Sequence, residues 1–165
     1  MNYPTSLIIR LITPFIISYS LLGKIIYPAT IFSSSIILNL IGIKSFIFSS
    51  YLITLNNNIR FSEACAIISA YFLLLLLVVL TKDISFKKRL KIFLIGSIVL
   101  FIINIIRILV LIYILEIRGF DSFQQTHDII WLVLGSILVS LTWIGLIRHY
   151  KIKAIPIYSD IKYLL

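Results

Sequence analysis

The sequence predicts an all-α integral membrane protein, a single transmembrane domain over residues 1–165 with about four transmembrane helices. Three observations predict this fold class. The chain is 61% hydrophobic and 13% charged, and its mean hydropathy is +1.12. These values lie far from those of a soluble domain. The net charge of +9 comes from Lys and Arg in short blocks beside apolar runs, a placement that indicates membrane orientation and not nucleic-acid binding.

Four apolar runs have the length and composition of membrane spans. A helix needs about 20 apolar residues to cross a hydrocarbon core of about 30 Å. The predicted spans are residues 7–29, 64–80, 92–115 and 129–147. The second span is uncharged but short, and the third contains an asparagine and an arginine. The length of the chain suits four or five spans, which predicts one membrane domain.

The basic segments set the predicted orientation. Residues 82–91 hold five Lys and Arg and residues 148–165 hold four, whereas the opposite face holds only Lys44, Arg60 and Arg118. Cytoplasmic loops carry the excess of Lys and Arg in membrane proteins. We therefore expect a multi-pass protein of the cytoplasmic (inner) membrane with both termini in the cytoplasm.

Residues 31–61 allow two interpretations. They form either a fifth span over residues 31–55 with Lys44 near its centre, or an interfacial helix followed by two short strands that flank Asn56–Asn58. A charge at the bilayer centre is unfavourable by at least about 2.5 kcal/mol, and an asparagine cluster favours a turn. We therefore favour a short extracytoplasmic helix and hairpin before the second span.

Three side chains from different predicted helices lie at one membrane depth. Arg107 follows Lys91, at the inner edge of the third span, by sixteen residues. At the rise of an α-helix it lies about 24 Å higher, within about 6 Å of the outer edge of the bilayer core. Cys65 opens the second span from outside, and His127 opens the fourth. The sequence therefore predicts a shared site at the outer face.

Each of these residues also has a simpler interpretation. A single cysteine at a helix start is usually an inert small hydrophobe, an arginine near the interface can snorkel, and a histidine at a helix entrance is often a surface residue. Asn104 lies one turn before Arg107 and could brace its guanidinium. His149 lies about 33 Å from His127 along the same predicted helix and cannot reach Cys65.

Sequence signals for other kinds of site are absent. There is no glycine-rich phosphate loop, and the single cysteine leaves too few soft ligands for a zinc site. The aromatic residues are interspersed with aliphatic ones and fit membrane belts better than nucleotide stacking. We therefore predict no metal, no cofactor and no nucleic-acid partner.

Short motifs stand at the outer ends of the last three predicted spans: EAC at 63–65, NIIR at 104–107 and THDII at 126–130. In order, spacing and membrane side they resemble the motifs of the exosortase/archaeosortase family of membrane cysteine transpeptidases. The resemblance spans about residues 36–140. One departure follows the cysteine, where the family commonly has Ser-Gly and this chain has AII at 66–68.

The resemblance implies a membrane-embedded cysteine protease or transpeptidase. Its substrates would be secreted proteins with a C-terminal sorting signal, which consists of a short motif, a transmembrane helix and a basic end. Cys65 would be the nucleophile that forms a thioester, His127 the acid–base group, and Arg107 the cation that stabilises the thiolate or the oxyanion. Asn104 and Glu63 would support them. The acyl acceptor would be water, a lipid or a glycan, and the lipid bilayer is the surrounding partner.

A non-enzymatic membrane subunit or transporter component is the alternative. In such a protein Arg107 and His127 would bind an anion or relay protons, because ionisable residues inside a membrane usually mark such pathways. This alternative has no need of Cys65, so a cysteine variant separates the two hypotheses.

Overall fold

The computed structural model describes residues 12, 14, 19–82 and 84–152, with the side chains of residues 131–136 left aside. Most of this part of the chain is helical, and a small antiparallel sheet lies between the first two helices. The elements in chain order are α1 (Tyr19–Leu40), β1 (Ser45–Phe48), β2 (Tyr51–Thr54), β3 (Asn58–Arg60), α2 (Ile68–Leu80) and α3 (Phe86–His149).

Helix α3 is a helical hairpin. It is 64 residues long, but Gly119 has φ 80° and ψ −178° and separates a first arm, residues 86–118, from a second arm, residues 120–149. A φ of this sign favours glycine, which has no Cβ to clash. The far ends of the arms meet, since Lys88 Nζ donates to the Tyr150 carbonyl at 3.1 Å. The segments predicted as the third and fourth spans, residues 92–115 and 129–147, lie within these two arms, which extend beyond the predicted bounds, so His127 lies inside the second arm and not at its start.

Helix α2 packs against both arms and forms the core with them. Gly96 is the point of closest approach, because a Cβ added there would lie 2.7 Å from Leu74 Cδ2 and 2.9 Å from Leu146 Cδ1. Leu74 is fully buried, as are Leu100 in the first arm and Val139 in the second. A small residue at position 96 thus lets three helical segments interlock.

We expect Gly96→Ala to destabilise the fold although alanine is the better helix former. The new methyl group displaces two buried leucine ends, and overpacking of this kind costs about 1–3 kcal/mol. Gly145→Ala is the matched control, because nothing lies within 4 Å of its added Cβ and alanine is favoured over glycine in a helix by about 1 kcal/mol. Thermal unfolding in detergent checks both, and equal midpoints for the two variants would contradict this packing.

The end predicted for the first span, residue 29, is wrong, because α1 continues from Tyr19 through Pro28 to Leu40. The polar residues just after the predicted end are held within the helix by their own hydroxyls. Thr30 Oγ1 donates to the Ile26 carbonyl at 2.7 Å, and Ser34 Oγ donates to the Thr30 carbonyl at 2.8 Å. Hydroxyls that bond the carbonyl four residues back are compatible with helix continuation. The rest of the predicted span, residues 7–18, lies almost wholly outside the described residues.

Residues 45–60 form a three-stranded sheet in the order β1-β2-β3. The predicted turn at the asparagine cluster is confirmed, since β2 and β3 pair with Ile53 opposite Asn58. The segment predicted as one strand before it is two strands, which Ser49 and Ser50 join in a tight turn with φ 54° at Ser49. Residues 31–55 are therefore not a single helix, and the predicted strands are confirmed, whereas the separate interfacial helix is not, because residues 31–40 continue α1.

By length and composition, two described helices are apolar and long enough to cross a membrane: Tyr19–Leu40 and Phe86–Ile130. The apolar helices Ile68–Leu80 and Ile137–His149 are shorter. The first arm of α3 carries an exposed apolar stripe whose members recur every three or four residues. They are Leu90, Leu94, Ile98, Ile102, Ile106, Val110, Tyr113 and Ile117.

A carboxylate joins the sheet to the top of the first arm. Glu116 accepts hydrogen bonds from the Thr54 hydroxyl, from Asn56 Nδ2 at 2.9 Å and from Asn57 Nδ2 at 2.9 Å. All three donors lie in or beside the β2–β3 turn. This contact positions the sheet over the helical hairpin.

We expect Glu116→Gln to loosen the sheet nearly as much as Glu116→Ala. Every partner of Glu116 is a donor, and a glutamine amide offers one acceptor oxygen and a repelling NH₂ group in place of two acceptor oxygens. The expected loss is about 1–2 kcal/mol, since hydrogen bonds to charged groups contribute about that much. Faster amide exchange over residues 51–60 is the measurement. Asp121→Asn is the control, because it changes an exposed carboxylate close to the bend at Gly119. It should leave the exchange rates of residues 51–60 unchanged.

Candidate active site

Cys65, Arg107 and His127 line one cleft of about 230 Å³. Cys65 comes from the turn before α2, Arg107 from the first arm of α3 and His127 from the second arm. Leu52 and Ile59 of the sheet also line the cleft. The structure therefore brings together the three side chains that the sequence placed at one depth.

The cysteine lies in a tight turn and not in a helix. Its N–H donates to the Ser62 carbonyl at 3.0 Å, and the Ile67 N–H donates to the Ala64 carbonyl at 3.1 Å. Helix α2 begins only at Ile68, because Ile67 has the left-handed backbone conformation with φ 47° and ψ 39°. The predicted start of this helix at residue 64 is therefore wrong. The half-buried Cys65 is presented by a turn whose shape Ile67 sets.

Two side chains of the first arm hold the backbone of the cysteine. Asn104 Nδ2 and Arg107 Nη2 each donate to the Cys65 carbonyl at 3.0 Å. Both side chains are nearly buried, with 1% of Asn104 and 9% of Arg107 exposed. Asn104 was predicted to contact the Arg107 guanidinium. In the structure the two side chains instead donate to the same carbonyl oxygen, that of Cys65. The pair fixes the position of residue 65 relative to α3.

Two polar atoms beside the cysteine have no hydrogen-bond partner among the described residues. They are Asn104 Oδ1, an acceptor, and Arg107 Nε, a donor, and both are buried. Unpaired buried polar atoms are costly and are concentrated at functional positions. One acceptor and one donor therefore lie unpaired in the buried layer that holds the Cys65 carbonyl.

His127 is half-buried on the facing wall. Its ring stacks on Phe123 with the centroids 5.8 Å apart and the planes 24° apart. Its Nδ1 lies 3.3 Å from Asp128 Oδ1, and a hydrogen bond between these atoms would hold the ring in one tautomer. The tautomer with a proton on Nδ1 would have an acceptor at Nε2, as a general base requires.

Glu63 does not line this cleft. Its exposed side chain lines a neighbouring pocket beside α1 instead. The predicted role of Glu63 in supporting Cys65 therefore has no contact in the cleft behind it. His149 lies at the other end of the second arm and packs edge-to-face on Tyr150. His127 and His149 thus lie on one helical arm, 22 residues apart, as the sequence predicted.

The sequence reasoning missed Ser62 and Arg60. The Ser62 hydroxyl lies 3.5 Å from Cys65 Sγ, so it is the side chain hydrogen-bonded to the sulfur. Arg60 ends β3 and lines the cleft. The sequence analysis used Arg60 only to compare the numbers of Lys and Arg on the two predicted membrane faces. The spacing of Ser62, three residues before the cysteine, was the signal that could have identified it, because a turn brings such residues together.

We expect Ile67→Gly to be more stable than Ile67→Ala by about 1 kcal/mol or more, since a left-handed conformation costs a residue with a Cβ about that much. Both variants lose the same buried contacts, so the comparison isolates the backbone. The usual order in and near helices is the reverse. Chemical or thermal unfolding of the two proteins in detergent gives the difference, and an alanine variant equal to the glycine variant would contradict a left-handed turn at residue 67.

The cleft supplies a sulfur nucleophile, an imidazole and a guanidinium, which is a set suited to acyl transfer. Among the residues that the structure describes, no group of three or more His, Cys, Asp and Glu could hold a metal ion. No family model matches the chain, and no curated protein or solved structure gives a significant match.

Proposed function

We propose that this chain is a membrane-embedded cysteine protease or transpeptidase of the exosortase/archaeosortase type. It cleaves a C-terminal sorting signal of secreted proteins at the outer face of the cytoplasmic membrane. The observation that carries the proposal is the convergence of Cys65, Arg107 and His127 on one cleft. Three motifs that resemble those of the family, far apart in the sequence, supply these residues.

The membrane arrangement has four spans with both termini in the cytoplasm. Two features of the fold support it. The exposed apolar stripe of the first arm gives lipid a continuous surface. The basic segments at residues 82–91 and 148–152 lie together, as the Lys88–Tyr150 hydrogen bond indicates, so they face the same side. The cysteine cleft then lies near the opposite, outer surface.

The backbone of Ile67 also supports the proposal. The family commonly has Ser-Gly after its cysteine, which puts glycine at the position of Ile67. That position has a positive φ here, the conformation for which glycine is the favoured residue. The replacement of Ser-Gly by Ala66-Ile67 thus falls on a turn whose shape matches what a glycine would provide.

In the first chemical step Cys65 Sγ attacks the carbonyl carbon of the scissile peptide bond. His127 accepts the thiol proton and returns it to the leaving amine, so the C–N bond breaks as the thioester forms. In the second step water or an amine of a lipid or glycan attacks the thioester. The C–S bond then breaks and the sulfur regains a proton. Arg107 and Asn104 hold residue 65, and the Arg107 charge stabilises the thiolate.

A substrate search in the native host tests this function. Cells with the wild-type gene are compared with cells carrying Cys65→Ala by mass spectrometry of envelope proteins. We expect a set of secreted proteins to keep a C-terminal motif, transmembrane helix and basic end only in the variant. A thioester that hydroxylamine releases from Cys65 identifies the intermediate; identical C termini in both strains would refute the proposal.

The alternative is a membrane subunit or transporter component that uses Arg107 and His127 for anion or proton handling. One observation favours it: Arg107 is buried, and its Nε has no partner among the described residues. A strain with Cys65→Ala would then behave as wild type, whereas Arg107→Gln would lose function. The pair of variants separates the two functions.

A further inference from the structure

A second pocket lies across residues 61–62 from the cysteine cleft. It has a volume of about 650 Å³ and is formed by α1 and by residues 60–63. Arg60, Phe61 and Ser62 line both concavities. The wall between them is fixed, because the Tyr27 hydroxyl donates to the Phe61 carbonyl at 3.0 Å and the two rings pack edge-to-face at 5.6 Å.

Three exposed charged side chains line this pocket: Lys24, Arg60 and Glu63. The ion pairs within the described part of the chain include none of them. Glu63 lies against α1 at Gly23, since a Cβ there would be 3.9 Å from Glu63 Oε1. Two cations and one carboxylate thus line one concavity without neutralising each other by direct contact.

The chemistry of these groups defines a ligand. Lysine and arginine are donors only, and they suit phosphate oxygens. A carboxylate is an acceptor only, and it suits an ammonium group. The cysteine site does not use Lys24, and no role in acyl transfer accounts for the three charges together.

We propose that this pocket binds a phosphodiester that carries a primary amine. The phosphate is held by Lys24 and Arg60, and the ammonium group is held by Glu63. In the membrane arrangement proposed above the cysteine cleft lies near the outer surface, and this pocket shares Arg60, Phe61 and Ser62 with that cleft, so it opens at the depth of lipid headgroups. A phospholipid headgroup and a soluble phosphodiester amine share this chemistry. The site does not depend on the reactivity of Cys65.

Binding to full-length Cys65→Ala protein in detergent tests the site apart from any catalysis. The probes are a short-chain phosphatidylethanolamine, glycerophosphoethanolamine and a short-chain phosphatidylglycerol, measured by calorimetry. We expect Lys24→Gln and Arg60→Gln each to weaken phosphatidylethanolamine binding about tenfold, the effect of losing one charge-assisted hydrogen bond. Lys44→Gln is the matched control, because Lys44 is an exposed lysine outside the pocket.

The amine is tested by comparing two lipids that share a phosphodiester. We expect preference for phosphatidylethanolamine over phosphatidylglycerol, and loss of that preference in Glu63→Gln. Binding of the soluble probe as tight as the lipid identifies a soluble ligand, whereas binding of the lipid alone identifies a membrane lipid; both support the site. Equal binding of the two lipids, or Lys24 and Arg60 variants that bind as the Lys44 control does, overturns it. The substrate search decides the proposed function separately.

Discussion

Replacement of Cys65 by alanine is expected to abolish cleavage of sorting signals, a loss of about 10³-fold or more, as for removal of other enzymatic nucleophiles. The fold should survive, because Asn104 and Arg107 bond the carbonyl of residue 65 and not its sulfur. The alanine variant therefore keeps the contacts that position the turn. Cleavage of a native substrate, once the host comparison has identified one, is the measurement.

Ser62→Ala is the matched control for the cysteine variant. It removes the hydroxyl 3.5 Å from Cys65 Sγ but leaves the nucleophile, so a partial decrease in rate is expected. Thermal unfolding of all three proteins shows whether the fold is intact. A correctly folded Cys65→Ala protein that still cleaves its substrate would contradict the assignment of the nucleophile.

Replacement of Arg107 has the second largest expected effect. Arg107→Gln removes the charge near the sulfur and the hydrogen bond to the Cys65 carbonyl, and cleavage should fall about 10²-fold or more, as when one charge-stabilising donor is lost. The decrease should appear in kcat more than in KM, because the interaction is with the enzyme's own nucleophile. Stability should fall by about 1–3 kcal/mol, since a buried acceptor loses one of its two donors.

Asn104 separates the positioning effect of Arg107 from its charge. Asn104→Ala removes the other donor to the same carbonyl but no charge, so it should lower stability by a similar amount and kcat by less. The double variant tests coupling, because two donors to one acceptor should give non-additive losses. Equal kcat values for the Asn104 and Arg107 variants would mean that the guanidinium acts only by positioning.

The grouping of the site residues could be predicted because helix geometry is regular. A fixed rise per residue was enough to place Arg107 and His127 near one depth. The two predicted spans, residues 92–115 and 129–147, require a reversal of the chain between them, and the structure places that reversal at Gly119, which the sequence analysis did not single out. The depth of a residue along a helix can thus be calculated from its position in the sequence.

The contacts at the cysteine could not be predicted from the sequence. They depend on the left-handed conformation of Ile67, which is rare for a β-branched residue and which no local pattern indicates. Without that turn, Cys65 was expected inside a helix, with its carbonyl bonded along the helix. Because the carbonyl instead faces the first arm, it accepts from Asn104 and Arg107.

The bend at Gly119 has a consequence for biogenesis. Arg107 and His127 lie on either side of it, twelve and eight residues away, and belong to one helical hairpin. Contacts so close in sequence form early, because closing a short loop costs little entropy. Two of the three side chains that converge on the cleft therefore belong to one local unit of the chain. The turn with Cys65 is synthesised earlier and meets both side chains only when this hairpin docks against α2, so a chain that stalls at residue 119 carries the thiol and the guanidinium without the imidazole.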